Sequence, residues 1–360
     1  MHRITIVTDA WHPQVNGVVR SIENTILHLQ DMGAEVMLVT PAGFRSIPCP
    51  TYPEIRLSVT GYGGVARALE RCEPSYVHIA TEGPLGLLAR RWCIKNRKPF
   101  TTCYHTRFPE YVAARFPIPK SLLYGFVRWF HNAGAACMVA TESLERELAA
   151  KGLKRLVRWT RGIDTAHFRP RPKSDMPLGL KRPLFISIGR VAPEKNLQAF
   201  LDLDLPGSKL VVGDGPARAS LQARYPDVIF TGVKHGEELA TLFSEGDVFV
   251  FPSRTDTFGN TILEALASGV PVAAFPVTGP IDILRHNPEA GALSEDLGEA
   301  CINALKCSPE GARALAETYS WEAASRQFLD AVLTANNVAR PGLLRRFTGA
   351  YGLRRGFPKP

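Results

Sequence analysis

Short, nearly continuous apolar runs alternate with helical patterns along almost the whole chain, and this alternation constrains the fold more than any other feature. In the first half, strands are predicted near Arg3–Thr8, Glu35–Thr40, Tyr76–Ala80, Phe100–Tyr104, Ala136–Ala140 and Leu156–Thr160. In the second half they are predicted near Leu184–Ile188, Lys209–Val212, Val228–Phe230, Val248–Phe251 and Val270–Phe275. Such runs, separated by helices, imply parallel sheets buried on both faces. A chain of 360 residues suits two such units. The stretch Phe168-Arg-Pro-Arg-Pro-Lys-Ser-Asp-Met-Pro-Leu-Gly179, rich in proline and charge, reads as the linker. The expected organisation is an α/β fold of two doubly wound domains, 1–168 and 169–320. A helix at 321–335 crosses back to the first domain, and a basic tail occupies 336–360.

Doubly wound sheets bind ligands at the carboxyl ends of their strands. The most informative such point is the segment from Phe251 to Phe275. A buried strand runs into a polar loop holding Asp256 and Gly259, and a helix follows from about Asn260. Free N–H groups and the helix dipole make such a start a site for an anion. Gly259 leaves room for close approach. Glu264 lies one turn in, where it accepts hydrogen bonds from hydroxyls. A diphosphate joined to hydroxyls is a nucleotide-sugar. The competing reading makes Glu264 an exposed helix acid and the loop a plain connection, and spacing does not separate the two. Asn16-Gly17, Tyr104-His105-Thr106 and Gly189-Arg190 also follow strands and would gather around one interdomain cleft. Neither half has Gly-x-Gly-x-x-Gly after its first strand, which argues against a dinucleotide redox enzyme. Gly213-Asp-Gly-Pro216 reads as a tight turn.

The formal charge of +9 is unevenly spread. Lys151 to Lys173, Arg90 to Arg128 and the chain after Asp330 are strongly basic. Such patches suit anionic lipid, nucleic acid or phosphorylated substrates, although a solvated basic surface is common. Seven cysteines without a Cys-x-x-Cys pair fit a reducing compartment and no zinc site. The first strand begins at once, so no signal peptide is expected, and Arg128, His131 and Asn132 interrupt the most membrane-like segment. The expected location is the cytoplasm, or the inner face of the cell membrane as a peripheral protein.

Taken together, Asn16-Gly-Val-Val-Arg20, Gly189-Arg-Val-Ala-Pro-Glu-Lys-Asn196, Val212-Gly-Asp-Gly-Pro216 and Asp256-x7-Glu264 resemble retaining glycosyltransferases of family 4, which have the two-domain GT-B architecture. Thr81-Glu-Gly-Pro-Leu-Gly86 and Tyr104-His-Thr-Arg-Phe-Pro-Glu110 resemble the bacterial members that glycosylate membrane lipids with mannose, glucose, glucuronate or sulfoquinovose. The resemblance implies that Arg190 and Lys195 bind the departing diphosphate, where preplaced cations act most strongly. A lysine at a helix start is unfavourable by the dipole argument, which also favours a phosphate partner for Lys195. Gly189, Phe258, Gly259, Asn260 and Thr261 would complete the donor pocket, with Glu264 on the ribose. Asp256 stands where most of the family has glutamate and would meet the sugar. Gly17 would admit donor and acceptor, and His105 would hydrogen-bond a sugar hydroxyl.

Asn16, Glu82, Tyr104 and Thr106 are the candidates on the acceptor side. Glu82 is either an acceptor contact or base, or the partner of a local arginine. Arg161 is expected to brace the cleft. No nucleophile, cofactor or metal is implied, since the β-phosphate oxygen takes the acceptor proton on the face of attack. Asp202-Leu-Asp204 falls at a helix end rather than after a strand. The basic helices near Arg90 and Arg128, with Trp92, Phe126, Trp129 and Phe130, and the basic tail are candidate contacts for anionic lipid. Spacing also makes Phe126 and Phe130 core candidates. No nucleic-acid partner is expected. The competing functions are a nucleotide-sugar 2-epimerase and a non-catalytic binder on the same scaffold.

Overall fold

The computed structural model describes residues 2–13, 16–49, 52–113, 116–175 and 177–338. Among these, the first sheet contains β1 (Arg3–Val7), β2 (Glu35–Val39), β5 (Tyr76–Ile79), β6 (Phe100–Cys103), β7 (Ala136–Val139) and β8 (Leu156–Arg158). Its order is β2-β1-β5-β6-β7-β8, and all its neighbours are parallel. A separate antiparallel hairpin, β3 (Ser46–Cys49) and β4 (Tyr52–Ser58), lies between β2 and β5 in sequence. Its prolines and charges hide it from an apolar-run reading.

The second sheet has the order β11-β10-β9-β12-β13-β14, again parallel throughout. Its members are β9 (Leu184–Ile188), β10 (Ser208–Val212), β11 (Ile229–Phe230), β12 (Val248–Phe251), β13 (Val272–Ala274) and β14 (Gly291–Leu293). The edge strand β14 is absent from the sequence expectation, being only Gly-Ala-Leu. A Cβ at Gly291 would stand 2.4 Å from the Val272 carbonyl, so the glycine is what lets this strand close on the sheet.

Helices cover both faces. The central strands β9 and β12 are buried at every residue, which explains why Leu-Phe-Ile-Ser-Ile and Val-Phe-Val-Phe carry almost no polar group. The helix Trp321–Val338 packs on the helix Gly17–Asp31 and over β5, β6 and β7. Phe328 from it is fully buried beside Ile4, Ile6, Met138 and Trp159 of the first domain. The crossing point is tight: a Cβ on Gly162 would stand 2.3 Å from the Trp321 nitrogen. The basic tail lies outside the described residues from 339 onward.

Both sheets reverse strand order beside their first strand, between β1 and β5 and between β9 and β12. The loops after these four strands border the two crevices in which open α/β sheets receive ligands.

Candidate active site

In the second domain, the loops after β9 and β12 are sewn to each other. Asn196, in the left-handed region at φ 53°, donates from Nδ2 to the Pro252 carbonyl at 3.1 Å. The hydroxyls of Ser253 and Thr255 donate to the Glu194 carbonyl. This places the Lys195 ammonium 2.6 Å from Asp256 Oδ1, a half-buried ion pair at the mouth of the crevice. Asp256 Oδ2 is buried and has no hydrogen-bond partner among the described residues.

Gly259 caps the helix Asn260–Ala267 at φ 93°. A Cβ there would lie 2.9 Å from Ile262 Cδ1, so backbone shape and packing already require the glycine. Glu264 is only 6% exposed, which removes the exposed-acid reading. Its burial raises the carboxyl above the usual range, and Arg20 opposes that rise. Arg20 donates to Glu264 Oε1 at 3.0 Å from the other domain.

In the first domain, the groups after β1, β5 and β6 sit in buried networks. Asp9 accepts from the Leu85 and Gly86 nitrogens at 2.8 and 3.2 Å and from Thr81 Oγ1 at 3.0 Å. It thereby satisfies N–H groups at the start of the helix Pro84–Lys95. A Cβ at Gly83 would strike the Asp9 carboxylate, and one at Gly86 would strike the Thr81 carbonyl. Gly83 therefore makes room for the Asp9 carboxylate and Gly86 for the Thr81 carbonyl, in a turn built around Asp9, a residue to which sequence reasoning assigns no role. A cue does exist in the sequence: an acid two residues after β1, facing a Thr-x-Gly-x-x-Gly turn.

Glu82 Oε1 lies 3.0 Å from Nε2 of His131, whose Nδ1 meets Thr102 Oγ1 at 2.9 Å. Burial opposes the imidazolium, but the Cys137 sulfur and the Glu82 carboxylate outweigh it and raise His131 to about 10. His105 lies in reach of Arg161, whose Nη2 is 3.2 Å from its Nδ1. Burial and the Arg161 charge hold its pKa well below the ordinary value. Its Nε2 is buried and unpartnered among the described residues.

Several contacts join these halves across the cleft, among them Ser143 N–H donating to Asp282 Oδ1 at 2.9 Å, and three lie beside the site. Thr257 Oγ1 donates to the His105 carbonyl at 2.8 Å, Asn260 Nδ2 lies 3.4 Å from the Gly17 carbonyl, and Arg20 meets Glu264. At Gly17 an added Cβ would lie 3.1 Å from Asn260 Nδ2, so the two domains approach closely there. Asp256, with its unpartnered oxygen, is thus the chain neighbour of a residue that touches His105, with its unpartnered nitrogen.

Residues 15–167 match Glycosyltransferase Family 4, and residues 182–307 match Glycosyl transferases group 1. A GDP-mannose-dependent alpha-mannosyltransferase of Mycobacterium tuberculosis (strain CDC 1551 / Oshkosh) is 30% identical over 82% of this chain and 84% of its own length. The chain belongs to glycosyltransferase family 4. An alpha-monoglucosyldiacylglycerol synthase of Streptococcus pneumoniae (strain ATCC BAA-255 / R6) is 30% identical over 86% of this chain and 79% of that protein. Among solved structures, the sucrose-phosphate synthase of Thermosynechococcus elongatus superposes with a TM-score of 0.73 at 18% identity, over 94% of this chain and 100% of that one. That likeness shows the GT-B fold.

Several residues that the sequence assigns to this transferase's site stand elsewhere in the structure. Tyr104 is fully buried in the core with Tyr124, Val127 and Val139, so it does not face an acceptor. Arg107 is bound bidentately by Glu147, and Glu110 accepts from Tyr124. Of Tyr104-His-Thr-Arg-Phe-Pro-Glu110, this leaves His105 and half-buried Thr106 for the cleft. The Phe258 side chain lies in the second domain's core against Tyr319, so only its backbone is available. Asn16 is the N-cap of the helix Gly17–Asp31, its Oδ1 accepting from Val18 and Val19 at 3.0 Å. Glu82 pairs with a histidine, not an arginine. Gly189 and Arg190 do lie in the crevice loop after β9, and Thr261 is in the first turn after Gly259. Gly213 packs on Gly189, where a Cβ would stand 1.8 Å from the Gly189 carbonyl.

On the outer surface, Trp92 and Phe130 are core residues, whereas Trp129 is half exposed. Leu122, Phe126 and Trp129 form one stripe of the helix Lys120–His131. Arg90 lies 3.7 Å over the Trp129 ring, linking this stripe to the helix that carries exposed Ile94. Phe116 and Ile118 are also exposed, and Arg91, Lys95, Arg97 and Lys120 are exposed cations on or just beyond the same two helices, Arg91 and Lys95 lying over the Tyr62 ring.

Proposed function

We propose that this transferase moves a hexose or hexuronic acid from GDP-mannose or a UDP-sugar to a hydroxyl of a membrane lipid, with retention and without a metal. The observation that carries this reading is the pair of unpartnered buried atoms, His105 Nε2 and Asp256 Oδ2, beside the Lys195–Asp256 ion pair. A sugar hydroxyl both donates and accepts, so the hydroxyls of a donor sugar supply what these two atoms lack. Lys195, with Arg190 and the first N–H groups of the helix Asn260–Ala267, faces the diphosphate. Glu264 takes the ribose.

As the glycosidic bond breaks, negative charge grows on the β-phosphate, where Lys195 and Arg190 stabilise it. The β-phosphate oxygen accepts the acceptor's proton on the same face. GDP-mannose carries its sugar in the α configuration, so a relative named an alpha-mannosyltransferase supports net retention. A relative named for glucosyldiacylglycerol supports a lipid acceptor. The Leu122–Trp129 stripe, with Arg90 over Trp129 and exposed cations on the same two helices, suits the interfacial layer of an anionic bilayer. No helix among the described residues is long and apolar enough to cross a membrane, which fits a peripheral protein on the cytoplasmic face.

The test is incubation with each nucleotide-sugar and vesicles containing diacylglycerol, with or without phosphatidylglycerol, in EDTA. A new glycolipid with an α anomeric proton by NMR is expected, formed faster on anionic vesicles. A β product would overturn retention, and activity that appears only on adding a divalent cation would overturn metal independence. Sugar transfer to water-soluble acceptors alone would overturn the lipid assignment.

A further inference from the structure

Arg161 is 4% exposed, and among the described residues no carboxylate neutralises it. Its Nη1 donates to the Trp159 and Thr160 carbonyls at 2.8 and 3.0 Å, and its guanidinium lies 4.2 Å over the Trp159 ring. These contacts fix the plane of the guanidinium, and Nη2 is then directed at Nδ1 of His105. The same Trp159 ring meets His105 edge-on at 5.6 Å, which holds the imidazole from a second side. Thr257 holds its backbone from the third.

A guanidinium can only donate. The nitrogen it faces must therefore present a lone pair, and His105 must carry its proton on Nε2. The more usual arrangement, Nδ1–H donating to a carbonyl, leaves Nε2 as a base. Here the arrangement is reversed.

We infer that Arg161 is a positioning residue that locks His105 as the neutral Nε2–H tautomer, making it a fixed hydrogen-bond donor to a substrate oxygen and not a base. This rests on the proposed placement of the donor sugar beside His105. The titratable groups that bear on His105 are Arg161, His78 and His131, and each disfavours a second proton on the ring. His78 is itself pushed down to about 3 by burial and by Arg161, so Arg161 supplies the dominant fixed charge. A donor at this place stabilises an oxygen that gains negative character or must keep one orientation during transfer. It removes no proton, in keeping with a reaction in which the leaving phosphate does so.

The first experiment uses the full chain labelled with 15N-histidine, with the His105 signals assigned by their loss in His105→Gln. The expected spectrum shows a neutral Nε2–H ring that does not titrate between about pH 5.5 and 8.5. An Nδ1–H ring, or a titration inside that window, overturns the inference whatever the protein's substrate. This readout needs no activity, so its failure is separable from failure of the proposed function.

The second experiment compares turnover. The Gln amide nitrogen reaches the place of Nε2, whereas that of Asn reaches only the place of Nδ1. His105→Gln is expected to retain at least about tenfold more kcat than His105→Asn, and the opposite order overturns the assignment. In Arg161→Met the ring should begin to titrate and kcat should acquire an acid limb, with Arg161→Lys restoring the flat profile. A lower melting temperature in Arg161→Met with an unchanged tautomer and flat profile would reduce Arg161 to a brace. If Arg161→Met fails to fold, the wild-type spectrum still decides the question.

Discussion

In the first domain the polar groups after β1, β5 and β6 are tied to buried partners, whereas in the second those after β9 and β12 are tied mainly to one another. Asp9, His131 and Arg161 each spend their hydrogen bonds inside the protein, on Leu85 and Gly86, on Glu82 and Thr102, and on two carbonyls and His105. Lys195 and Asp256 hold each other at the crevice mouth, where a charged ligand is able to take either partner. The difference suits two tasks. A rigid half orients a ring and an acceptor through preorganised donors, and an adaptable half meets a diphosphate whose charge changes during the reaction. Substitutions should therefore separate into those that damage stability on one side and those that damage turnover on the other.

The largest effect is expected from Lys195→Ala. It removes a donor aimed at developing charge, so kcat/KM should fall by roughly 100- to 1,000-fold. The melting temperature without ligand should scarcely change, and the stabilisation given by UDP or GDP should shrink. A variant with normal turnover would refute the role given to the adaptable half.

Next comes Asp9→Ala, which leaves two buried N–H groups at a helix start without an acceptor. A loss of about 3 kcal/mol in chemical unfolding is expected. A loss near zero would show that water replaces the carboxylate and that the first half is less rigid than described.

A comparable signature should appear in pH. His131 is raised to about 10 in the folded protein, against an ordinary histidine value of 6.5. A raised base contributes stability that is fully present below about 6.5 and is lost as pH climbs through about 10. Unfolding midpoints should decline across that window in the wild type and stay flatter in His131→Gln. Parallel curves would show that the Glu82–His131 contact contributes no pH-dependent stability.

The sequence carries most of this architecture because buried parallel strands are written as apolar runs, and ten of the eleven predicted runs overlap a strand in the structure by all but a residue or two at the ends. The exception in length, Val270–Phe275, shortens to Val272–Ala274, where the flanking residues continue the burial without the ladder. Loops carrying charge are also legible, because Lys195 and Asp256 lie in glycine-bearing loops after strands and Glu264 follows the second of these. What spacing does not supply is the partner of each group. Tyr104 looks like a cleft residue because it closes a strand, but side-chain direction at a strand end depends on the chain's next turn. Glu82 looks free or arginine-bound, because its partner His131 is 49 positions away. Arg20 sits within a motif yet receives no role from sequence, since its contact with Glu264 exists only when two domains are placed together.

That last contact provides the smallest and most discriminating prediction. Burial raises Glu264 and Arg20 lowers it again, so Arg20 keeps available the ionised carboxylate that best accepts ribose hydroxyls. In Arg20→Ala the opposing charge is gone, and the carboxyl should take up its proton at a higher pH than in the wild type. Donor KM should be close to normal at the alkaline end of the profile and rise by up to about tenfold as pH falls, while kcat changes little. Arg20→Lys should recover most of the wild-type profile, since one donor and the charge remain. A rise in KM that is uniform across pH would assign Arg20 to direct contact with the nucleotide. The contrast between the halves would then be less complete, because the rigid half would itself contribute a cation to the adaptable one.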